Sequence, residues 1–188
     1  MATWKVVSTR PVWCFDVEAR PGPWLAADIT AKHMLSLAGC YAGKPKTMAY
    51  LAPGFDADDL EEFVTPIREG ALVVTHNGFR YDLPFLNGTL IRLGLRPLGS
   101  VLVHDTYHHL PKRGRAFSGS LGNMARRFDV GVSKGSMSEY DWDLAYQGDP
   151  TALEKLRVYN VGDVKTTLAL RKKLMELNLL RPPSRWNP

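Results

Sequence analysis

The chain has 188 residues, 45% of them hydrophobic, which is enough for one domain with a full core and too few for two ordinary domains. It has no apolar run of about 18 residues, which argues against a transmembrane helix, and its N-terminal segment lacks the apolar stretch of a secretion signal. The net charge of +5 is compatible with a nucleic-acid partner, although many proteins with such a charge bind none. Cys14 and Cys40 lack metal-ligand spacing, and we interpret them as buried thiols of an intracellular, reducing compartment.

The first predicted strand is the apolar run at residues 12–15, and two carboxylates, Asp16 and Glu18, follow it directly. A continuous apolar run predicts a strand that is buried on both faces. In extended backbone, Asp16 and Glu18 point to the same face, about 6.6 Å apart along the strand. Two like charges in such a place repel each other unless an arginine, a shared proton, a metal ion or exposure to solvent offsets them.

The rest of the chain alternates apolar runs with amphipathic stretches and turn residues. Further strands are predicted at residues 33–43, 46–52, 71–76 and 101–107. Helices are predicted at residues 56–70, 81–95 and 151 to about 177. We therefore expect an α/β fold with a mixed five-stranded sheet, built from a three-stranded antiparallel meander plus two parallel strands and flanked by helices. A single domain is expected over residues 1–180, followed by a loosely ordered, proline-rich tail at 181–188.

Three further polar residues stand where they can meet the first two acids. Asp82 follows the fourth predicted strand at the start of a helix, and the ends of adjacent central strands share one edge of an α/β sheet. Tyr159 and Asp163 are four residues apart in the last helix, so the phenol and the carboxylate share a helix face. Four acids on separate elements can form a site for hard divalent cations, which prefer carboxylate oxygens.

Three segments of the sequence carry a family resemblance. They are FDVE at 15–18, HNGFRYDLPFL at 76–86 and YNVGD at 159–163. Together and in this order they resemble the three motifs of the DEDD superfamily of 3′–5′ exonucleases, and the resemblance covers residues 12 to about 175. The Tyr-x-x-x-Asp form of the last motif is similar to the DEDDy branch, found in proofreading exonuclease domains and RNase D-like enzymes. The resemblance implies a ribonuclease-H-like fold, two Mg²⁺ or Mn²⁺ ions, and release of nucleoside 5′-monophosphates from a 3′ end.

The resemblance also implies roles for individual residues. The expected catalytic residues, of which the acids are also the metal ligands, are Asp16, Glu18, Asp82, Tyr159 and Asp163. Asp16 is expected to bridge the two ions. Glu18 and Asp163 are expected to complete the site that activates water, whereas Asp82 helps to hold the second ion. Because an unperturbed phenol has a pKa of about 10, we expect Tyr159 to orient the attacking water rather than to deprotonate it.

Substrate contacts are expected from residues around these motifs. They are Arg20, His76, Asn77, Phe85, Lys112, Arg113 and Arg115. His76 and Asn77 lie where the family has a turn beside the substrate, or alternatively they only cap that turn. Phe85 faces the terminal base or, alternatively, lies in the helix core. The basic loop 110–119 suits backbone phosphates, although charge clusters are also common on solvated surfaces. Many relatives have Thr and Gly after the first motif where this chain has EARPG, and Arg20 is the candidate to replace their contact.

The preferred interpretation is a 3′–5′ exonuclease for single-stranded or frayed ends, with DNA slightly favoured over RNA. Proofreading and DNA repair are candidate pathways, and the sequence does not decide between these and RNA turnover. The alternatives are an RNA-trimming 3′–5′ exoribonuclease and, from another class, a catalytically inactive nucleic-acid-binding module. Nothing in the motifs distinguishes the two sugars, because recognition of the 2′-hydroxyl depends on details of the pocket. A polymerase or another replication or repair protein is a possible partner, no membrane is expected, and the oligomeric state stays open.

Overall fold

The chain folds into a mixed sheet with helices on both faces. The computed structural model describes residues 9–19, 34–52, 54, 56–110, 119–131 and 135–188. The strands in these residues are β1 Val12–Ala19, β2 Met34–Tyr41, β3 Thr47–Leu51, β4 Leu72–Thr75, β5 Val101–Asp105 and β6 Ser184–Trp186. The helices are α1 Ala57–Arg68, α2 Asp82–Arg92, α3 Leu121–Arg127, α4 Glu139–Tyr146 and α5 Pro150–Glu176. The predicted α/β class is confirmed, with one strand more than expected in this part of the chain.

The order of strands across the sheet is β3-β2-β1-β4-β5-β6. β1 pairs antiparallel with β2 and β2 antiparallel with β3, which is the expected meander. β1 is parallel to β4, and β4 is parallel to β5. The C-terminal ends of these three parallel strands meet at one edge of the sheet, which is the edge where ligands bind in α/β folds.

Strand β1 alternates its side chains between two cores. The larger core, on the side of α1 and α2, receives Trp13, Phe15 and Val17. The smaller core receives Cys14, whose Sγ donates a hydrogen bond to the carbonyl of Val164 in α5 at 3.6 Å. Because successive side chains of a strand point to opposite faces, Asp16 and Glu18 lie on the same face as Cys14, towards α5. The strand runs on to Ala19, so the two acids stand within it and not beyond its end as expected.

Helix α5, of 27 residues, brings the last motif to this face of the sheet. Asp149 caps its N-terminus by accepting a hydrogen bond from the backbone N–H of Ala152 at 2.8 Å, and Pro150 occupies the first turn, where its missing N–H costs nothing. The helix packs across β1 and β2 and buries Leu156, Val164 and Leu170. No helix in the described ranges combines the length and the apolar character that crossing a membrane requires.

The C-terminal segment differs from the expectation of a loosely ordered tail. Residues Ser184–Trp186 form β6, which pairs antiparallel with β5 and places Trp186 opposite Val101. Trp186 is only 7% exposed and belongs to the larger core. Pro182 and Pro183 precede the strand and Pro188 follows it, so none of the three removes a hydrogen bond from the ladder. Burial of the indole and pairing along the edge of β5 therefore order a segment whose composition suggested a flexible end.

Candidate metal centre

Three acids from two elements converge at the C-terminal edge of β1. Asp16 and Glu18 come from β1 and Asp163 comes from α5, and one carboxylate oxygen of each lies within 4.8 Å of the others. Asp163 is buried, with 4% of its surface exposed, whereas Asp16 and Glu18 are partly exposed. The alternation of β1 and the packing of α5 on the sheet therefore produce the acidic cluster that the motifs predicted.

The donor set of this cluster fits a hard divalent cation. Three carboxylates this close together repel one another, and burial in a low-dielectric environment strengthens the repulsion. A divalent cation offsets the charge, and carboxylate oxygens are the ligands that such cations prefer. Asp16, Glu18 and Asp163 are the residues that would hold it.

Asp82 lies beside the cluster rather than in it. It is the first residue of α2, it is 3% exposed, and its Oδ1 accepts a hydrogen bond from the backbone N–H of Val17 at 2.9 Å. Burial raises the pKa of its carboxyl group to about 7, and the negative charges of Asp105 and Asp163 act in the same direction. The structure therefore places Asp82 next to the predicted ligands, and its role as a ligand of a second ion stays a prediction.

Tyr159 is held in place by residues around α4. Its ring meets the ring of Trp142 edge-on, with 6.1 Å between the ring centres and 78° between the planes. A Cβ atom built on Gly135 would lie 3.7 Å from the Cα of Tyr159, so the chain passes close to this side of α5. The phenol therefore has a fixed location on the same helix as Asp163, one turn away, as the i, i+4 spacing predicted.

Asp105, at the end of β5, organises the backbone around the site, and the candidate site residues did not include it. It is completely buried. Its Oδ1 accepts hydrogen bonds from the backbone N–H groups of Asn77, Tyr107 and His108 at 3.0, 2.8 and 2.8 Å, and its Oδ2 accepts from that of Phe79 at 3.1 Å. One carboxylate thus joins the turn after β4 to the turn after β5. The only signal in the sequence was an acid at the end of a strand.

A cavity of about 390 Å³ opens beside the acidic cluster. Its lining residues are Asp16, His76, Asn77, Tyr107, Gly119, Ser120, Leu121 and Asp163. The turn after β4 therefore reaches the same cavity as two of the predicted metal ligands. Asn77 adopts a left-handed backbone conformation, with φ of 68°, which asparagine tolerates better than most residues.

His76 anchors one wall of this cavity. Its Nε2 donates a hydrogen bond to the carbonyl oxygen of Gly119 at 2.8 Å, and its Nδ1 lies 2.8 Å from the hydroxyl of Thr106. Its ring also meets Tyr107 edge-on at 5.8 Å. Because both ring nitrogens already have partners within the chain, a contact of His76 with a substrate would use the face or the edge of the ring.

Phe85 lies in the larger core with 1% of its surface exposed, so the structure corrects its assignment to substrate binding. Tyr81 stacks on Phe85, with 6.0 Å between ring centres, and is only partly buried. Burial raises the pKa of the Tyr81 phenol, and the nearby carboxylates of Asp82, Glu18 and Asp16 raise it further. Tyr81, directly before α2, is therefore an aromatic residue that lies near the acids. The predicted contacts Arg20, Lys112, Arg113 and Arg115 fall outside the described residues.

The sheet order, the helix across β1 and the acidic cluster are those of an RNase H-like protein. A family model, RNase_H_2 of the RNase_H superfamily, matches residues 14–175, and the chain belongs to this family. No curated protein matches the chain. Among solved structures, the family B DNA polymerase from the hyperthermophilic archaeon Pyrobaculum calidifontis has a similar fold, with a TM-score of 0.62 and 24% sequence identity over 88% of this chain. The chain spans about a quarter of that polymerase. Family membership together with the acidic cluster supports a nuclease.

Proposed function

We propose that this protein is a metal-dependent 3′–5′ exonuclease that hydrolyses the terminal phosphodiester of single-stranded or frayed nucleic acid. The observation that carries the proposal is the cluster of Asp16, Glu18 and Asp163, whose carboxylate oxygens lie within 4.8 Å of one another beside an open cavity. Membership of the RNase H superfamily supports the nuclease chemistry. The resemblance to the DEDDy motifs supports the 3′–5′ direction and release of nucleoside 5′-monophosphates.

The residues around the cavity have distinct roles in this proposal. Two Mg²⁺ or Mn²⁺ ions, when bound, would lower the pKa of the attacking water and stabilise the negative charge on the leaving oxygen. Asp16, Glu18 and Asp163 would hold the cations, and Asp82 would help to hold the second one from the start of α2. Tyr159, one turn from Asp163, orients the attacking water by a hydrogen bond. It orients this water rather than deprotonating it.

The cavity has a size and lining that suit one terminal nucleotide. Its volume of about 390 Å³ lies within the range of small-molecule sites, and its wall includes the side chains of His76, Asn77 and Tyr107. Tyr107 and residues 119–121 complete the lining of the cavity. DNA remains the slightly favoured substrate. A polymerase or a repair protein is the candidate partner, and an intracellular location remains a prediction.

A degradation assay tests this proposal. Matched single-stranded DNA and RNA, labelled at the 5′ end, are incubated with Mg²⁺, Mn²⁺ or EDTA, together with the variants Asp163→Asn and, as a matched control, Glu62→Gln. Glu62 is an acid on α1, outside the cluster, whose side chain accepts a hydrogen bond from Tyr50. We expect stepwise shortening that needs metal, persists in the control and falls at least 100-fold in Asp163→Asn. The faster polymer identifies the substrate.

Other outcomes of the assay contradict the proposal in different ways. Internal cleavage without a ladder indicates an endonuclease on the same fold. Metal-independent shortening that Asp163→Asn leaves unchanged contradicts the assigned site. Retained binding without cleavage under either metal leaves the catalytically inactive nucleic-acid-binding module.

A further inference from the structure

A buried amide from α5 contacts one of the predicted metal ligands. Asn160 is completely buried, and its Nδ2 donates a hydrogen bond to Oδ2 of Asp16 at 2.6 Å. Its Oδ1 accepts a hydrogen bond from the hydroxyl of Ser36, which is also completely buried, at 3.0 Å. Ser36 lies on β2 directly opposite Glu18 of β1. A chain of hydrogen bonds therefore runs from β2 through α5 to the acid on β1.

The chemistry of the three groups fixes the direction of this chain. An ionised carboxylate only accepts hydrogen bonds, so the amide turns its NH₂ group towards Asp16 and its oxygen towards Ser36. The hydroxyl of Ser36 then donates. Because Asn160 and Ser36 are completely buried, leaving either of them without its partner is costly, and the two bonds hold the amide in one orientation against Asp16.

The donor that holds Asp16 is neutral, and this matters for a metal ligand. A lysine or arginine in the same position would bring a positive charge that competes with a divalent cation for Asp16. The amide of Asn160 orients the carboxylate and leaves its full negative charge in place. Groups of this kind, which bind a ligand rather than the metal, orient ligands and typically change metal affinity by 10- to 100-fold when they are removed.

We propose that Asn160, supported by Ser36, is a positioning residue that orients Asp16 for divalent-cation binding; the role rests on the proposed function, because it concerns the same metal site. Helix α5 thereby contributes two residues to the candidate metal centre. Asp163 would bind the cation itself, whereas Asn160, three residues earlier, determines how the acid of β1 faces it. The third motif then carries a further required residue between its tyrosine and its aspartate.

Titration calorimetry with Mn²⁺ tests the role without any nuclease readout. The proteins compared are the wild type, Asn160→Ala, Asn160→Leu, which keeps the branched shape without the hydrogen-bonding groups, and Ser36→Ala. The matched control is Thr89→Ala, which removes a buried hydroxyl that donates to the carbonyl of Phe85 in α2, away from the site. We expect Mn²⁺ affinity to fall 10- to 100-fold in both Asn160 variants and a few-fold in Ser36→Ala, and to stay within twofold of wild type in Thr89→Ala.

Each outcome of this experiment decides the proposal. Folded Asn160 variants that bind Mn²⁺ within twofold of the wild type overturn the positioning role and leave the exonuclease proposal intact. If neither Asn160 variant folds, the Ser36→Ala variant tests the proposal instead. An Mn²⁺ affinity equal to that of the wild type in this variant overturns the positioning role of Asn160. If the wild type binds Mn²⁺ but degrades no nucleic acid, the exonuclease proposal is wrong. The ratio of the Mn²⁺ affinities of variant and wild type still tests the positioning role of Asn160. A wild type that binds no Mn²⁺ rejects both.

Discussion

Asp82 accepts a hydrogen bond from the backbone N–H of Val17 at 2.9 Å, and Val17 is the residue between Asp16 and Glu18. The first residue of α2 is thereby attached to the acidic part of β1. The bond stabilises a carboxylate in a place where burial and the charges of Asp105 and Asp163 oppose its ionisation. The metal-free site therefore contains electrostatic repulsion that bound cations would relieve.

Replacing Asp82 by asparagine is expected to stabilise the metal-free protein. The amide oxygen can still accept from Val17, whereas the buried charge is removed, so the free energy of unfolding in EDTA at pH 8 should rise by about 1 to 3 kcal/mol. The increase in stability on adding Mn²⁺ should shrink in the same variant. Urea unfolding in EDTA and in Mn²⁺ measures both effects. A less stable variant in EDTA would mean that the charged acceptor which Asp82 offers to the N–H of Val17 stabilises the fold more than the repulsion destabilises it.

Replacing Asp105 by asparagine is expected to destabilise the protein by about 2 to 4 kcal/mol. The carboxylate accepts backbone N–H groups at both of its oxygens, and an amide NH₂ would face one of these donors with a donor of its own. Urea unfolding measures the loss. The control is Asp129→Asn, at an exposed position with φ of 48° that asparagine tolerates, which should change stability by less than about 0.5 kcal/mol. Equal effects in both variants would contradict the organising role of Asp105.

The protein is expected to lose stability on acidification because of the buried His104. Its Nδ1 accepts a hydrogen bond from Nε of Arg171 at 3.1 Å, and its Nε2 donates to the carbonyl of Arg181 at 3.1 Å. Burial, together with the charge of Arg171 and the neighbouring His109, lowers the pKa of His104 from 6.5 to about 4. The unfolded chain therefore binds more protons between these values. Stability conferred by neutral His104 is complete above pH 6.5 and is lost as the pH falls towards 4, by about 3 kcal/mol.

The variant His104→Gln isolates this contribution. Glutamine does not titrate in this range, so the variant should lose less stability than the wild type between pH 7 and pH 4.5, as measured by urea unfolding at both values. Burial also lowers the pKa of His109, whose contribution has the same sign and remains in the variant. Parallel losses in the two proteins would contradict the assignment to His104.

Replacing Trp186 by alanine tests whether the C-terminal strand belongs to the fold. The indole is buried in the larger core opposite Val101, so its removal should cost about 3 to 5 kcal/mol of unfolding free energy. Arg185→Ala is the matched control, because Arg185 is exposed and its side chain contacts the hydroxyl of Ser100. Thermal or urea unfolding of both variants gives the comparison. A small effect at Trp186 would indicate that the segment contributes little to the core.

The acidic cluster could be predicted because its geometry follows from short-range periodicity. Asp16 and Glu18 share a face through the alternation of a strand, and Asp163 enters from a helix whose pattern is visible in the sequence. Phe85 had two alternatives, the terminal base and the helix core, because the sequence does not specify which face of α2 is buried, and the structure places it in the core. The strand at Trp186 was missed because composition alone does not reveal that the edge of β5 needs a partner.

The supporting hydrogen bonds could not be predicted, because they depend on registers between distant elements. Ser36 meets Asn160 only because β2 pairs with β1 in one register and α5 lies across both strands. Asp105 meets the turn after β4 only because β4 and β5 end together. The sequence shows Ser36 only as a serine in an apolar strand and Asp105 only as an acid at the end of another strand. Neither pattern indicates which distant residue it will contact.

The hydrogen bond between Asn160 and Asp16 joins residues 144 positions apart, and that between Arg185 and Ser100 joins residues 85 apart. During synthesis on the ribosome, β1 to β3 can pair early, because their contacts are local. The acids of β1 then stand without α5 until much later residues have emerged, and β5 stays an open edge for longer still. Contacts of such long range are formed slowly, since loop closure must precede them. The acidic cluster and the edge of β5 are therefore completed only by the last segments to be synthesised, because α5 supplies Asp163 and β6 supplies the pairing strand.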